Sequence, residues 1–265
     1  MHKIIDSHCH LDYEGLAENL PAMLQRCADA GVGLILSISS RVAQFPKLLE
    51  IAETYDNVFC TVGTHPHNAH EESDVTVADL VKLTNHPKVV GIGEAGLDYH
   101  YDHSPREAQM KGFRTHIAAA RETGLPLVIH TREAEDDTAR VLEEEMAKGT
   151  FKAMLHCFTS KQWLAEKGVE LGLCVSFSGI LTYKSAEDLR LTAKALPADN
   201  ILVETDSPFL APSPYRGKTN EPSYVVKTLE QLAIVRGVSA DEMAKITSDN
   251  FFRLFNKVMR PVAFV

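Results

Sequence analysis

Two histidines separated by one residue, His8 and His10 in Asp6-Ser7-His8-Cys9-His10, follow a short β-type run near the start of the chain. Side chains two apart on an extended segment point the same way, so both imidazoles can reach one cation. Alone, an H-x-H pair is a weak signal. Four further sites add weight to it. Glu94 in Gly93-Glu94-Ala95-Gly96-Leu97-Asp98, His130 in Ile129-His130-Thr131-Arg132, His156 in Leu155-His156-Cys157-Phe158 and Asp206 in Glu204-Thr205-Asp206-Ser207-Pro208 each leave an apolar run as an ionisable group. Unpaired, such groups at the ends of buried strands would carry a heavy desolvation cost, which a shared cation removes. Imidazole with carboxylate and no thiolate suits zinc first, with manganese, magnesium, nickel or iron as alternatives. Six ligands exceed what one catalytic zinc with an open position takes. A carboxylate such as Glu94 can bridge two ions roughly 3.5 to 4 Å apart, so the donor set predicts two divalent ions.

These residues come from distant parts of the chain, and only a particular architecture can gather them. Short apolar or β-branched runs at 3–5, 34–38, 58–62, 89–92, 127–129, 153–155, 173–177 and 201–203 alternate with amphipathic stretches. That alternation predicts βαβ units and a parallel sheet, and eight strands is the TIM-type (β/α)8 barrel number. Strand carboxyl ends converge on one face of such a barrel, where all six groups would meet. Helices are expected at 18–30, ending before Gly31, and at 105–122, ending before Gly124, since glycine accepts the left-handed conformation that stops a helix. The stretches 181–196 and 223–257 also read as helical, the latter packing on the barrel exterior and closing it. An open doubly wound sheet would need a glycine-rich phosphate loop after its first strand, which this chain lacks.

The chain of 265 residues suits one barrel domain over 1–265, and no apolar run approaches the roughly 18 residues of a membrane span. Its amino terminus lacks a secretory pattern, so a cytoplasmic location is expected, with no membrane and no obligate partner, as a monomer. Five scattered cysteines with no C-x-x-C disfavour a disulfide framework or a zinc knuckle. A net charge of -9 repels polyanions, so a nucleic-acid substrate requires a local basic patch.

In order along the chain, Asp6-Ser7-His8-Cys9-His10-Leu11-Asp12, Gly93-Glu94-Ala95-Gly96-Leu97-Asp98-Tyr99, His156-Cys157-Phe158 and Glu204-Thr205-Asp206-Ser207-Pro208-Phe209-Leu210 resemble the TatD family of metal-dependent deoxyribonucleases. Ser176-Phe177-Ser178-Gly179-Ile180 and Arg216-Gly217-Lys218-Thr219-Asn220-Glu221-Pro222 are similar to its YcfH-like branch. The resemblance implies a divalent-metal hydrolase on a β/α barrel, with members acting as 3′ to 5′ exonucleases on single-stranded DNA or RNA. Carried over by motif, it implies that His8, His10, Glu94 and Asp206 hold one ion and that Glu94, His130 and His156 hold the other. It also implies that His65, in Gly63-Thr64-His65-Pro66-His67, faces the substrate phosphate.

The expected reaction is attack on phosphorus by a hydroxide bridging the ions, with Asp206 accepting the nucleophile's proton and Glu94 and His65 completing the catalytic set. Arg132 would grip a phosphate oxygen or form a salt bridge. Arg216 and Lys218 would supply a basic patch or lie in a solvated loop. Glu204 would orient a ligating histidine or pair with Arg132. The substrate expected is a nucleic-acid 3′ end or a small phosphodiester. Hydrolysis of an amide or ester, as by an aminoacyl-tRNA deacylase or small-molecule amidohydrolase, uses the same ligands and is the alternative. Asp98, Ser207, Asn220 and Glu221 shape the mouth with no chemical step assigned. Phe158 and Tyr183 contact a base or line the cavity wall. His2, His70, His86, His100, His103 and His116 read as surface or packing residues.

Overall fold

A computed structural model describes residues 2–264. Eight strands run β1 (Ile4–Cys9), β2 (Val32–Ser37), β3 (Val58–Val62), β4 (Val89–Asp98), β5 (Leu127–Arg132), β6 (Ala153–Leu155), β7 (Cys174–Phe177) and β8 (Ile201–Val203). They hydrogen-bond in chain order, each neighbouring pair parallel. The ring closes where Cys9 bridges Ser207, His10 N–H donates to the Ser207 carbonyl (2.8 Å) and Asp206 N–H donates to the His8 carbonyl (2.9 Å). The Asp6 carboxylate adds a clasp, accepting from Thr205 N–H (2.9 Å) and the Thr205 hydroxyl (2.6 Å). This is the TIM-type (β/α)8 barrel that the alternating pattern predicts.

Helices α1 (Leu20–Asp29), α2 (Phe45–Thr54), α3 (Val77–Leu83), α4 (Arg106–Thr123), α5 (Glu135–Lys148), α6 (Gln162–Glu170) and α7 (Glu187–Ala195) connect the strands. The stop expected at Gly124 occurs there, with Gly124 at φ 69°. The stretch 223–257 is two helices, α8 (Val225–Arg236) and α9 (Ala240–Leu254). Gly237 at φ 69° breaks the run, and the Ser239 side chain caps α9 by accepting from Glu242 N–H.

Alternate strand residues face opposite layers. One buried cluster joins Ile4, Val32, Ile35, Leu127, Ile129, Val175 and Val203 to the surrounding helices. The other joins Ile5, Leu34, Leu36, Val90, Val128, Met154 and Leu202 to Phe251 of α9 and to Phe255 just past its end. His130, His156 and Glu204 follow Val128, Met154 and Leu202 at two-residue spacing, so they rise from the interior face. The last helix therefore differs from its expected place on the exterior: its aromatic face packs with the interior-facing strand residues and fills the barrel floor.

Three strands run further than their apolar cores suggest. β1 continues to Cys9, β4 to Asp98 and β5 to Arg132, and β4–β5 pairing persists to Asp98 opposite Arg132. His8, Glu94 and His130 consequently sit on strands rather than after them. Glycine permits the close approach this requires: a Cβ on Gly96 would lie 1.9 Å from the His130 carbonyl oxygen, and one on Gly63 would lie 2.4 Å from Gly93 Cα. No helix among the described residues is long and apolar enough to cross a membrane.

Candidate metal centre

Glu94, on β4, is the centre of the arrangement, and its two oxygens face different histidines. Oε2 lies 3.4 Å from His8 Nε2 and 3.9 Å from His10 Nε2. Oε1 lies 2.6 Å from His156 Nε2, 3.0 Å from His130 Nδ1 and 3.4 Å from His65 Nε2. Asp206 Oδ1 stands on the other side of the first pair, 3.6 Å from His8 Nε2 and 3.5 Å from His10 Nε2. All six groups expected from the strand ends thus meet at the barrel mouth. His8–His10–Asp206, His8–Glu94–His156 and His65–Glu94–His130 each bring three donor atoms within 4.8 Å of one another. Nitrogen and oxygen donors in this density fit divalent cations of the zinc type.

The second nitrogen of each imidazole decides what the first can do, because a ring nitrogen that carries a proton cannot ligate a cation. His10 Nδ1 faces the Ile38 carbonyl (3.2 Å), His156 Nδ1 faces Glu204 Oε1 (3.3 Å) and His130 Nε2 faces Asp98 Oδ2 (2.9 Å). Each acceptor fixes the outward N–H by accepting its hydrogen bond, so the inward nitrogen is the one that can give up its proton and offer a lone pair. His65 is the reverse. Its Nδ1 accepts from His67 N–H (3.1 Å), so the neutral ring carries its proton on Nε2 and presents a donor to the cluster. The same rule sorts the His65–Glu94–His130 group away from the other two as a cation site. His8 Nδ1 and Glu204 Oε2 are buried without a hydrogen-bond partner.

Burial and charge compete at every member. Burial opposes ionisation of Glu94, but the charge of His156 and the hydrogen bond with His130 hold its carboxyl well below the ordinary range. Burial also disfavours a charged His156, yet Glu94 and Glu204 raise it well above its usual value. Asp206 is held low against burial by the hydrogen bond with His10 and by the charge of His8. His65 goes the other way: burial pulls it down to about 4, which keeps the ring neutral at physiological pH. These carboxylates attract positive charge, and protons on the ligating imidazoles occupy positions that a cation would take.

The ligands open into a cleft of about 720 Å³ whose walls include Tyr13, His65, His67, Tyr101, Arg132, Cys157, Phe209 and Leu210. Arg132 enters that wall, lying over the Tyr101 ring at 4.8 Å. Arg216 does not line the cleft; its guanidinium sits 4.2 Å over Tyr183 on the outer rim. Lys218 is exposed in the same loop. Glu204 is fully buried and faces His156, so of its two expected partners it takes the histidine. Phe158 is a core residue packed edge-on against Phe177 (6.5 Å), which removes it from base contact. The loop carrying Asp206 is pinned by Asn220, whose Nδ2 donates to the Thr205 and Phe209 carbonyls (2.9 and 2.6 Å). Glu221 pairs with Arg26 (2.6 Å), away from the ligands.

Sequence reasoning placed Asp98 at the mouth but passed over its role. Its buried carboxylate accepts from His130 Nε2 and His67 Nε2, both at 2.9 Å, tying a ligand to a half-exposed rim histidine. The signal was its place in the same run as Glu94, where four residues further along an unbroken strand brings a side chain back to the same face. Tyr13, Tyr101 and Phe209 were passed over too, and nothing in their local pattern marks them. His116 is buried inside α4, its Nε2 accepting from Thr64 N–H (3.0 Å) and its Nδ1 facing the Gly112 carbonyl (2.7 Å), so it packs beneath the His65 turn.

Residues 5–256 match the sequence model of the TatD-related DNase family. The chain is 40% identical over 256 residues to an uncharacterized metal-dependent hydrolase, YcfH, of Escherichia coli (strain K12), covering 96% of each. It is 38% identical over 252 residues to the metal-dependent hydrolase YabD of Bacillus subtilis (strain 168), covering 95% of this chain and 98% of the other. Among solved structures, that of the TatD homologue YjjV from Escherichia coli K12 superposes with a TM-score of 0.89 at 32% identity, covering 96% of this chain and 98% of that one.

Proposed function

The chain belongs to the TatD family and is a metal-dependent hydrolase, and on that premise we propose that it hydrolyses phosphodiester bonds, releasing nucleotides from nucleic-acid 3′ ends. The observation that carries this reading is His65: a ring held among the ligands with its N–H, rather than a lone pair, turned into the site. A neutral donor beside the exposed Arg132 guanidinium in one cleft suits the non-bridging oxygens of a phosphate, whereas a neutral amide offers no anionic oxygen in its ground state.

His8, His10, Asp206 and one oxygen of Glu94 would hold one divalent ion, and His130, His156 and the other oxygen of Glu94 a second, with zinc the first choice for these donors. Bound there, such ions lower the pKa of water and neutralise developing phosphate charge. The chain's own residues do the rest. Asp206, ionised and held in place by His10, accepts a proton at Oδ from the attacking water. His65 Nε2–H donates to a phosphate oxygen, and Arg132 orients the phosphate through its planar fork. Glu204 and Asp98 keep His156 and His130 in the tautomers that present lone pairs.

The test is incubation of purified, metal-loaded protein with a 3′-labelled single-stranded oligonucleotide, a small phosphodiester and a D-aminoacyl-tRNA. Release of labelled terminal nucleotide is expected. Cleavage of the acyl ester alone overturns the reading in favour of a deacylase.

A further inference from the structure

Large apolar side chains are left exposed at few places, and Tyr101 (50% exposed) and Phe209 (49%) share one of them, the cleft that contains the ligands. Phe209 follows β8, which adjoins β1, whereas Tyr101 follows β4 and Arg132 ends β5. In a ring of eight strands in chain order, the β8–β1 seam lies half a turn from β4–β5. The two rings therefore stand on facing walls, with Glu94 and its histidines between them. Both are braced by other rings rather than covered. Phe209 meets Tyr13 edge-on (5.9 Å, 90°), and Tyr13 in turn stacks on the ligand candidate His10 (4.8 Å, 30°). Tyr101 lies parallel to His103 (5.5 Å, 11°) and carries the Arg132 guanidinium at 4.8 Å.

The charge on the cleft says how an anionic substrate would be held. Among the described residues, Arg132 is the one arginine or lysine lining it, in a chain of net charge -9. Tracking a long phosphate backbone by counterion release needs many cationic side chains strung along a groove, and beyond the ligand cluster this cleft offers a single guanidinium. Affinity for a nucleic-acid end must come from flat contacts instead, and aromatic rings or a guanidinium plane supply those to any base.

Resting on the phosphodiesterase reading above, we propose that Phe209 on one wall and the Tyr101–Arg132 pair on the other are stacking platforms for the two bases that flank the scissile phosphate. The substrate is then an unpaired end whose last two nucleotides are splayed across the mouth. A base-paired step cannot reach both walls at once without unstacking. Stacking of this kind is indifferent to base identity, so cleavage proceeds through any sequence.

The experiment uses metal-loaded wild-type, Phe209→Leu and Tyr101→Leu proteins and two single-stranded oligonucleotides, one with bases at its last two positions and one abasic at both. Each substitution is expected to lower kcat/KM for the base-bearing strand about tenfold more than for the abasic strand, the fold-change that loss of one base–ring stack produces. On a phosphorothioate strand that is not cleaved, a terminal 2-aminopurine should be quenched by wild-type protein and less so by either variant. Raising monovalent salt from about 50 to 200 mM should raise KM by less than about threefold, as a single phosphate contact implies. Equal losses on the two strands, or an unquenched probe on wild-type protein, overturn the stacking platforms while leaving phosphodiester cleavage standing. Wild-type protein that leaves both strands intact overturns the phosphodiesterase reading, and this inference with it.

Discussion

Replacing Asp98 by asparagine should empty one half of the metal centre and leave the other half loaded. The buried carboxylate accepts four N–H groups: His130 Nε2 and His67 Nε2 at 2.9 Å on Oδ2, and the Tyr101 and His100 backbones at 2.9 and 3.1 Å on Oδ1. Asparagine offers one acceptor oxygen and an NH2. With its oxygen toward the imidazoles, its amide protons abut two backbone donors and the turn carrying Tyr101 loosens. Turned the other way, it leaves His130 Nε2–H unaccepted, and the ring proton can move to Nδ1. That atom lies 3.0 Å from Glu94 and 3.3 Å from His156, where a cation requires a lone pair. Orienting partners of ligating histidines are worth about 10- to 100-fold in metal affinity, or about 1.4 to 2.7 kcal/mol. Chelator competition on the purified proteins, followed by elemental analysis, reads this directly. At a chelator concentration that leaves wild-type protein with two ions, the Asp98→Asn protein should retain closer to one. A folded variant that holds both ions with wild-type affinity would refute the orienting role of Asp98 and the tautomer argument built on it.

Asp206→Asn should lower turnover at least about a hundredfold while most of the metal stays bound, because the amide keeps an oxygen toward His8 and His10 but cannot take up a proton; comparable fractional losses of metal and activity would assign Asp206 to ligation alone. His116 is fully buried and desolvation pulls its pKa from 6.5 to about 4, so the unfolded chain binds a proton that the native ring refuses. Its share of stability is present above pH 6.5 and is lost as pH falls toward 4, up to about 3 kcal/mol. Urea denaturation of wild-type and His116→Gln proteins from pH 7 to pH 4.5 should show a flatter pH dependence for the variant, and parallel curves would contradict the assignment. Phe251→Ala empties the barrel floor and should cost about 3 to 5 kcal/mol of stability with KM unchanged, measured by denaturation and steady-state kinetics; a wild-type denaturation midpoint would show that α9 does not seal the interior.

The sequence alone determined the barrel and the six ligand candidates, since both are written in short-range patterns. The eight-fold alternation of apolar runs with amphipathic stretches sets the fold, and His8, His10, Glu94, His130, His156 and Asp206 each follow or continue an apolar run, so topology alone brings them to one mouth. Strand ends were legible only where hydrophobicity falls, which is why β4 seemed to stop six residues short of Asp98: polar residues that pair with one another at the mouth look like the start of a loop. Tertiary structure decided what each group can do. His65 and His130 are the same residue type at similar places. One is a donor because a backbone N–H two residues away fills its Nδ1, and the other is a ligand candidate because a carboxylate from the neighbouring strand accepts the hydrogen bond of its Nε2–H. Arg132 reached the cleft and Arg216 did not, and Tyr101 came to face Phe209, for the same reason. A side chain's neighbours across a barrel are set by strand order and extension, which no local pattern records, whereas the two-residue period that lifts a ligand from an interior strand is local and can be read directly.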